Sequence, residues 1–306
     1  MPRVAIVGSG LIGRSWAIVF ARGGFDVALY DSDAGVAETA RGAVADGLKD
    51  LVRHGLLHDA TAASRRVRVA KDLADALAGA DFVQENLPEQ LEVKRAIFAN
   101  LDQLAEQDAI LASSTSTIVA SSFTESLVGR HRCLVAHPVN PPHLVPVVEL
   151  VGAPWTSPNV VASAKAIYQA VDQVPIVVRR EIDGFILNRL QAVLLSEAFR
   201  LVGEGYVSPQ DLDQTVKEGL GLRWSFMGPF ETIELNAPGG IPDYCRRYGA
   251  VLSRLSAADP AIYCGKGLDR VLAEWGEAPT QEQIALQMRA RDRRLAALKA
   301  HKALNR

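Results

Sequence analysis

Cysteine is scarce in this chain. Its three residues, Cys133, Cys245 and Cys264, are too scattered for a disulfide framework or a thiolate zinc site. Cys133 lies in the apolar run R-C-L-V-A and reads as a small buried hydrophobe. A dominant charge is missing as well. Thirty-three Lys and Arg stand against 35 Asp and Glu, a formal net charge of −2, which gives no electrostatic reason to expect nucleic acid or an anionic membrane as partner. No apolar run approaches the ~18 residues that would span a bilayer. The opening M-P-R-V-A-I-V-G reads as a strand, not a signal peptide. The expectation is a cytoplasmic, reduced protein with no metal site. What is present, 48% hydrophobic and 22% charged residues over 306 positions, suits a globular protein of two domains.

Short apolar runs punctuate the first part of the chain, at 3–7, 26–30, 67–70, 81–84, 109–113, 132–136, 145–150 and 174–179. Helical patterns separate the earlier ones, and that alternation predicts a Rossmann-type doubly wound α/β fold with a mostly parallel sheet. An amphipathic helix is expected over 88–104, with Pro88 at its first position. After Arg180 the strand signals stop. Asp183 can cap a long helix from Gly184, and Ser208-Pro209-Gln210-Asp211 announces another. A basic, alanine-rich helix is expected near the end. The predicted domains are 1–182, binding a dinucleotide, and 183–306, helical, for substrate and dimerisation.

The string Gly8-Ser9-Gly10-Leu11-Ile12-Gly13 follows the first strand and opens a helix, the context in which G-x-G-x-x-G carries meaning. Gly8 makes the tight turn, Gly10 admits a pyrophosphate to the backbone, and Gly13 lets helix and sheet pack. N–H groups at the helix start, around Leu11 and Ile12, can hold the phosphate charge. Asp31 follows the second strand, where a carboxylate accepts hydrogen bonds from the adenosine ribose and repels a 2′-phosphate. The cofactor expected is therefore NAD, in preference to NADP. Glu85 and Glu89 flank the region expected for the nicotinamide, and Glu89 can also serve a helix N-terminus. Glu89 and Lys94 complete the candidate cofactor-binding set.

The segment L-A-S-S-T-S-T, then L-V-A-H-P-V-N-P-P-H-L-V-P-V-V-E-L-V, and later D-G-F-I-L-N-R-L, resembles the 3-hydroxyacyl-CoA dehydrogenase superfamily. Three motifs point within it to the lambda-crystallin branch, whose members act as L-gulonate 3-dehydrogenases: G-R-S-W-A at 13–17, A-H-P-V-N-P-P at 136–142 and E-G-L-G-L-R-W at 218–224. The acyl-CoA enzymes tend to carry two aromatics between the histidine and Asn-Pro, and carnitine dehydrogenases one. Val139 points away from both. The resemblance implies His137 as general base and Glu149 as its partner, with Ser116, Asn140 and Asn188 on the substrate oxygen. The chemistry agrees, since a histidine titrating near neutrality can take the hydroxyl proton, and a carboxylate can orient it.

Arg223, in a glycine-punctuated aromatic segment, is the candidate for holding a substrate carboxylate with its planar fork. A free hydroxy acid is therefore expected. An acyl-CoA or carnitine substrate is the alternative, and a crystallin-like structural role is the non-enzymatic one. The segment 34–60 mixes Arg41, Lys49 and Arg53 with Glu38, Asp46, Asp50 and Asp59, a poor seat for the phosphates of CoA. A lysine-dependent 3-hydroxyacid dehydrogenase would need a lysine where this chain has Asn188-Arg189. The stretch 186–202 is apolar around much of its circumference, more than one packed face uses, so a homodimer through the C-terminal helices is expected. The resemblance implies the same surface.

Overall fold

The computed structural model describes residues 2–304 apart from 226, 239 and 256–280. Among the described residues eight strands form one sheet: β1 (Arg3–Val7), β2 (Asp26–Tyr30), β3 (Val67–Val69), β4 (Phe82–Glu85), β5 (Ile110–Ser113), β6 (Cys133–Pro138), β7 (Val147–Gly152) and β8 (Val174–Val178). Their order is β3-β2-β1-β4-β5-β6-β7-β8. The strands from β3 across to β6 are parallel, β7 runs antiparallel to β6, and β8 is parallel to β7. Continuous apolar runs such as R-V-A-I-V behave as they must in a sheet covered on both faces. Val4 and Ile6 enter one core with Trp16, Phe20 and Leu48, while Ala5 and Val7 enter the other with Phe98 and Phe123.

The covering helices are α1 (Leu11–Arg22), α2 (Ala34–Arg53), α3 (Ala60–Ser64), α4 (Leu73–Leu77), α5 (Leu91–Leu104), α6 (Ser121–Thr124) and α7 (Pro158–Ala170), and α8 (Leu187–Gly203) leads into the second unit. Short acidic side chains start several of them. The Asp33 carboxylate accepts from the N–H groups of Gly35 and Val36 at the head of α2. Ser208 caps the helix Pro209–Gln214 through the Asp211 N–H, as its sequence announced. Two expected starts differ. Helix α5 begins at Leu91 with Gln90 as an extended N-cap, not at Pro88, because Glu89 is drawn away into a neighbouring loop. Helix α8 begins at Leu187, not Gly184, since Gly184 and Phe185 both take positive φ (72° and 50°).

The chain forms two compact units, residues 1–188 with 281–306, and Arg189–Thr280. The last helix, Gln281–Leu304, thus groups with the sheet and not with the second unit as expected from the sequence. Its Ala296 is buried in the core that holds Trp16 and Leu48. Among the described residues no helix is long and apolar enough to cross a membrane, and no cluster of His, Cys, Asp and Glu could hold a metal.

Candidate active site

The glycine turn between β1 and α1 shows why each position is bare. Gly8 has φ +90°, and a Cβ there would lie 3.0 Å from the Asn86 carbonyl carbon and oxygen. A Cβ on Gly13 would come within 1.9 Å of the Gly8 oxygen. At Gly10, the N-cap of α1, an added Cβ would meet nothing within 4 Å. Packing therefore explains Gly8 and Gly13, and room for a ligand explains Gly10. A cavity of about 520 Å³ opens beside it, lined by Ser9, Gly10, Leu11, Arg14, Asp33 and neighbours from α2. Leu11 and Ile12 occupy the first turn, where N–H groups lack intrahelical partners.

Asp31 stands at the end of β2. Its Oδ2 accepts from the Ser9 N–H and hydroxyl, both at 2.9 Å, which ties the carboxylate to the glycine turn. Partial burial opposes its charge, but those bonds and the Asp33 and Ser32 N–H groups hold its pKa below the usual value. An anionic Asp31 beside an open glycine turn fits the ribose and pyrophosphate of a dinucleotide.

Lys94 lies inside the protein. At 1% exposure it is buried, and its ammonium donates to Glu85 Oε1 (2.8 Å), Glu85 Oε2 (3.0 Å) and the Leu87 carbonyl (2.9 Å). An ammonium taken this far from water needs such a saturated partner set. In this structure Lys94 braces the chain after β4. Glu89 also has a protein duty. Its Oε1 accepts from the Thr115 hydroxyl (2.6 Å), the Ser116 N–H (3.0 Å), and the Thr117 N–H (2.8 Å) and hydroxyl (2.9 Å). Burial works against the Glu89 charge, yet these donors hold its pKa below the ordinary value.

Glu89 thereby fixes the loop that carries Ser116. From the other side Asn188 Nδ2 donates to the Ser116 carbonyl at 2.8 Å. Ser116 is held at both backbone groups, which leaves its hydroxyl as the part able to serve a substrate. Asn140 lies in the β6–β7 connection, joined to Pro141 by a cis peptide bond. Arg223 sits in the second unit, on the short helix Gly221–Trp224 that follows a π-helical stretch, Thr215–Leu220, and it is exposed.

His137 and Glu149 face one another across the antiparallel β6–β7 ladder. His137 Nδ1 and Glu149 Oε2 are 2.8 Å apart, with the two residues only 4% and 2% exposed. The second carboxylate oxygen, Oε1, accepts from the N–H groups of Ile186 (2.8 Å) and Leu187 (3.0 Å) at the head of α8. Glu149, not Asp183, is thus the acid at that helix start. Burial works against its charge, but His137 and the two N–H groups hold its pKa below the ordinary value of 4.5. The positive φ of Gly184 and Phe185 turns the chain so that these amides meet Glu149, and the Phe185 ring packs 5.4 Å from the imidazole. With Nδ1 engaged, Nε2 is the nitrogen that can take a proton from a substrate.

The structure brings the two residues expected to act as a general-base pair together in one buried contact. The NAD-binding domain of 3-hydroxyacyl-CoA dehydrogenase matches residues 3–182, and the C-terminal domain of the same family matches 184–279. A lambda-crystallin homolog of Rattus norvegicus is 43% identical over 279 residues, 90% of this chain and 82% of that protein. An L-carnitine dehydrogenase of Pseudomonas putida is 37% identical over 296 residues, 96% of this chain and 92% of its own. Among solved structures, 5-formyl-3-hydroxy-2-methylpyridine 4-carboxylic acid 5-dehydrogenase, an NAD+-dependent dismutase, superposes with a TM-score of 0.84 at 30% identity, covering 98% of this chain and 97% of that one. The chain therefore belongs to the 3-hydroxyacyl-CoA dehydrogenase family, on its lambda-crystallin branch, and is an NAD-dependent dehydrogenase acting on a CH–OH group.

Proposed function

We propose that the enzyme oxidises the 3-hydroxyl of a small free hydroxy acid, an L-gulonate-like sugar acid or a short 3-hydroxy acid. The buried His137–Glu149 pair carries this reading. His137 Nε2 takes the hydroxyl proton as the carbinol carbon becomes a carbonyl, and Glu149 stabilises the imidazolium that forms. Bound NAD supplies the acceptor for the hydride leaving that carbon. The Ser116 hydroxyl holds the reacting oxygen, and Asn188 keeps Ser116 in place. In the reverse direction the imidazolium returns its proton.

Three observations favour a free acid over a CoA thioester. L-Carnitine and the pyridine carboxylic acid named for two of the relatives are themselves carboxylates. The cavity of about 600 Å³ between α1, α2 and the last helix mixes Arg14, Arg53, Arg289 and Arg293 with Asp46, Asp50 and Asp292. That mixture is a poor seat for a triply charged phosphate tail. Arg223, next to a π-helical stretch of the kind that recurs at functional sites, can offer the carboxylate two parallel N–H donors.

A substrate panel followed at the NADH absorbance tests the reading: L-gulonate, 3-hydroxybutyrate, L-carnitine and 3-hydroxybutyryl-CoA. A free hydroxy acid should be turned over most efficiently. Arg223→Met should then raise its KM by about 30-fold or more, as loss of charged hydrogen bonds implies, and leave NAD binding alone. Preferential use of the CoA ester would overturn the free-acid assignment.

For assembly, we propose a homodimer through the helices of the second unit. Leu190, Val193 and Leu194 of α8 lie at helical spacing and are all exposed in the single chain.

A further inference from the structure

A chain of buried polar contacts runs beneath the glycine turn and shares no residue with the His137–Glu149 pair. Trp16 on α1 and Gln84 on β4 are fully buried, as is Tyr168 on α7, whose ring centroid lies 5.2 Å from that of Trp16. Trp16 Nε1 donates to Ser114 Oγ at 3.0 Å, and Gln84 Nε2 donates to the same oxygen at 2.8 Å. The Tyr168 hydroxyl donates to Gln84 Oε1, and burial pushes that phenol well above its ordinary pKa, so it keeps its proton. An indole N–H can only donate. With two donors aimed at it, Ser114 Oγ has one proton to give, and it gives it to Asn86 Oδ1 at 2.7 Å. That bond sets the Asn86 amide, whose Nδ2 donates to the Gln84 carbonyl at 2.8 Å.

Asn86 is the floor of the glycine turn. Its carbonyl lies 3.0 Å from where a Gly8 Cβ would be, and its Nδ2 is 3.4 Å from the corresponding point on Gly13. Its own N–H donates to the Val7 carbonyl at 2.8 Å. Ser114 also begins the loop that carries Ser116, and its N–H donates to the Glu85 carbonyl at 2.8 Å. The glycine turn and the loop that carries Ser116 thus rest on one hydroxyl.

We infer that Trp16 and Ser114 are positioning residues for NAD: the indole N–H orders the Ser114 hydroxyl, which orients Asn86 and so shapes the glycine turn. Neither touches the reacting atoms. Trp16→Phe keeps an aromatic ring and removes the donor. Ser114→Ala removes the shared oxygen.

Each substitution should raise KM and the dissociation constant for NAD by about five- to tenfold, the scale of one lost hydrogen bond and its knock-on. At saturating NAD, kcat should stay within about twofold of wild type. General loosening of the fold would do the opposite, lowering the active fraction and hence kcat with KM unmoved. The double variant should be no worse than Ser114→Ala alone, since the indole then has no acceptor to order. Wild-type affinity for NAD in Trp16→Phe, or single effects that multiply in the double variant, would overturn the inference. Should Trp16→Phe not fold, Ser114→Ala decides it alone by the same split between KM and kcat.

Discussion

The two units of this chain are finished to different degrees. In the first, β1 alone buries Val4, Ala5, Ile6 and Val7, and the buried Lys94 ammonium donates to Glu85 and the Leu87 carbonyl. In the second, α8 buries only Val202 among its described residues, while Leu190 is 65% and Val193 66% exposed. Leu222, Phe230, Val251, Leu252 and Leu255 are exposed there too. The first unit closes its core with its own chain. The second presents apolar surface that a lone soluble molecule rarely leaves in water. The NAD-binding domain and the proposed acid–base pair lie in the first unit, while Arg223 and the proposed dimer surface lie in the second.

Three measurements break or sharpen that contrast. The largest effect is expected in the closed unit. His137→Asn should lower kcat by about 10²–10⁴-fold, the usual worth of a general base, with NAD affinity close to wild type. Turnover within a few-fold of wild type would remove His137 from the reaction. Next comes the open unit. Wild type should run in light scattering at twice the 33.0 kDa chain mass, and Leu190→Asp with Val193→Asp should halve it. A wild-type monomer at micromolar concentration would leave the apolar face without its proposed occupant.

The smallest effect concerns Glu149. Its folded pKa lies below the ordinary 4.5, so its carboxylate adds stability above that pH and loses it as pH falls through the lower folded value. Melts of wild type and Glu149→Gln should differ by about 1–3 kcal/mol at neutral pH, the cost of weakened charged hydrogen bonds. The two should converge below pH 4.5. A gap that persists unchanged into acid would mean the charge is not what stabilises the pair.

Much of the first unit was legible in the sequence, because buried parallel strands and glycine turns leave local signatures. All of the expected strands are present, and the glycine turn sits where its motif placed it. Helix starts were harder, because they were decided by distant groups. Glu89 pulls residues 88–90 away from helix α5 to bind Thr115, Ser116 and Thr117. Glu149 supplies the head of α8 from 37 residues away. Lys94 pairs with Glu85, nine residues back, and nothing local in the sequence signals that the two will be buried together. The Trp16–Ser114 bond, spanning 98 positions, has no periodicity to betray it.

The pairing of His137 with Glu149 as directly opposed rungs has a consequence for how this enzyme can tolerate insertions and deletions. Side chains alternate faces along a strand, so removing one residue within β6 or β7 would carry one partner to the far side of the sheet. Length changes confined to 139–146, the connection between the strands, leave the rungs aligned. That connection holds Asn140, one of the groups expected to meet substrate. The proposed acid–base pair is thus tied to the ladder, while the connection beside it can be lengthened or shortened without moving the two rungs apart.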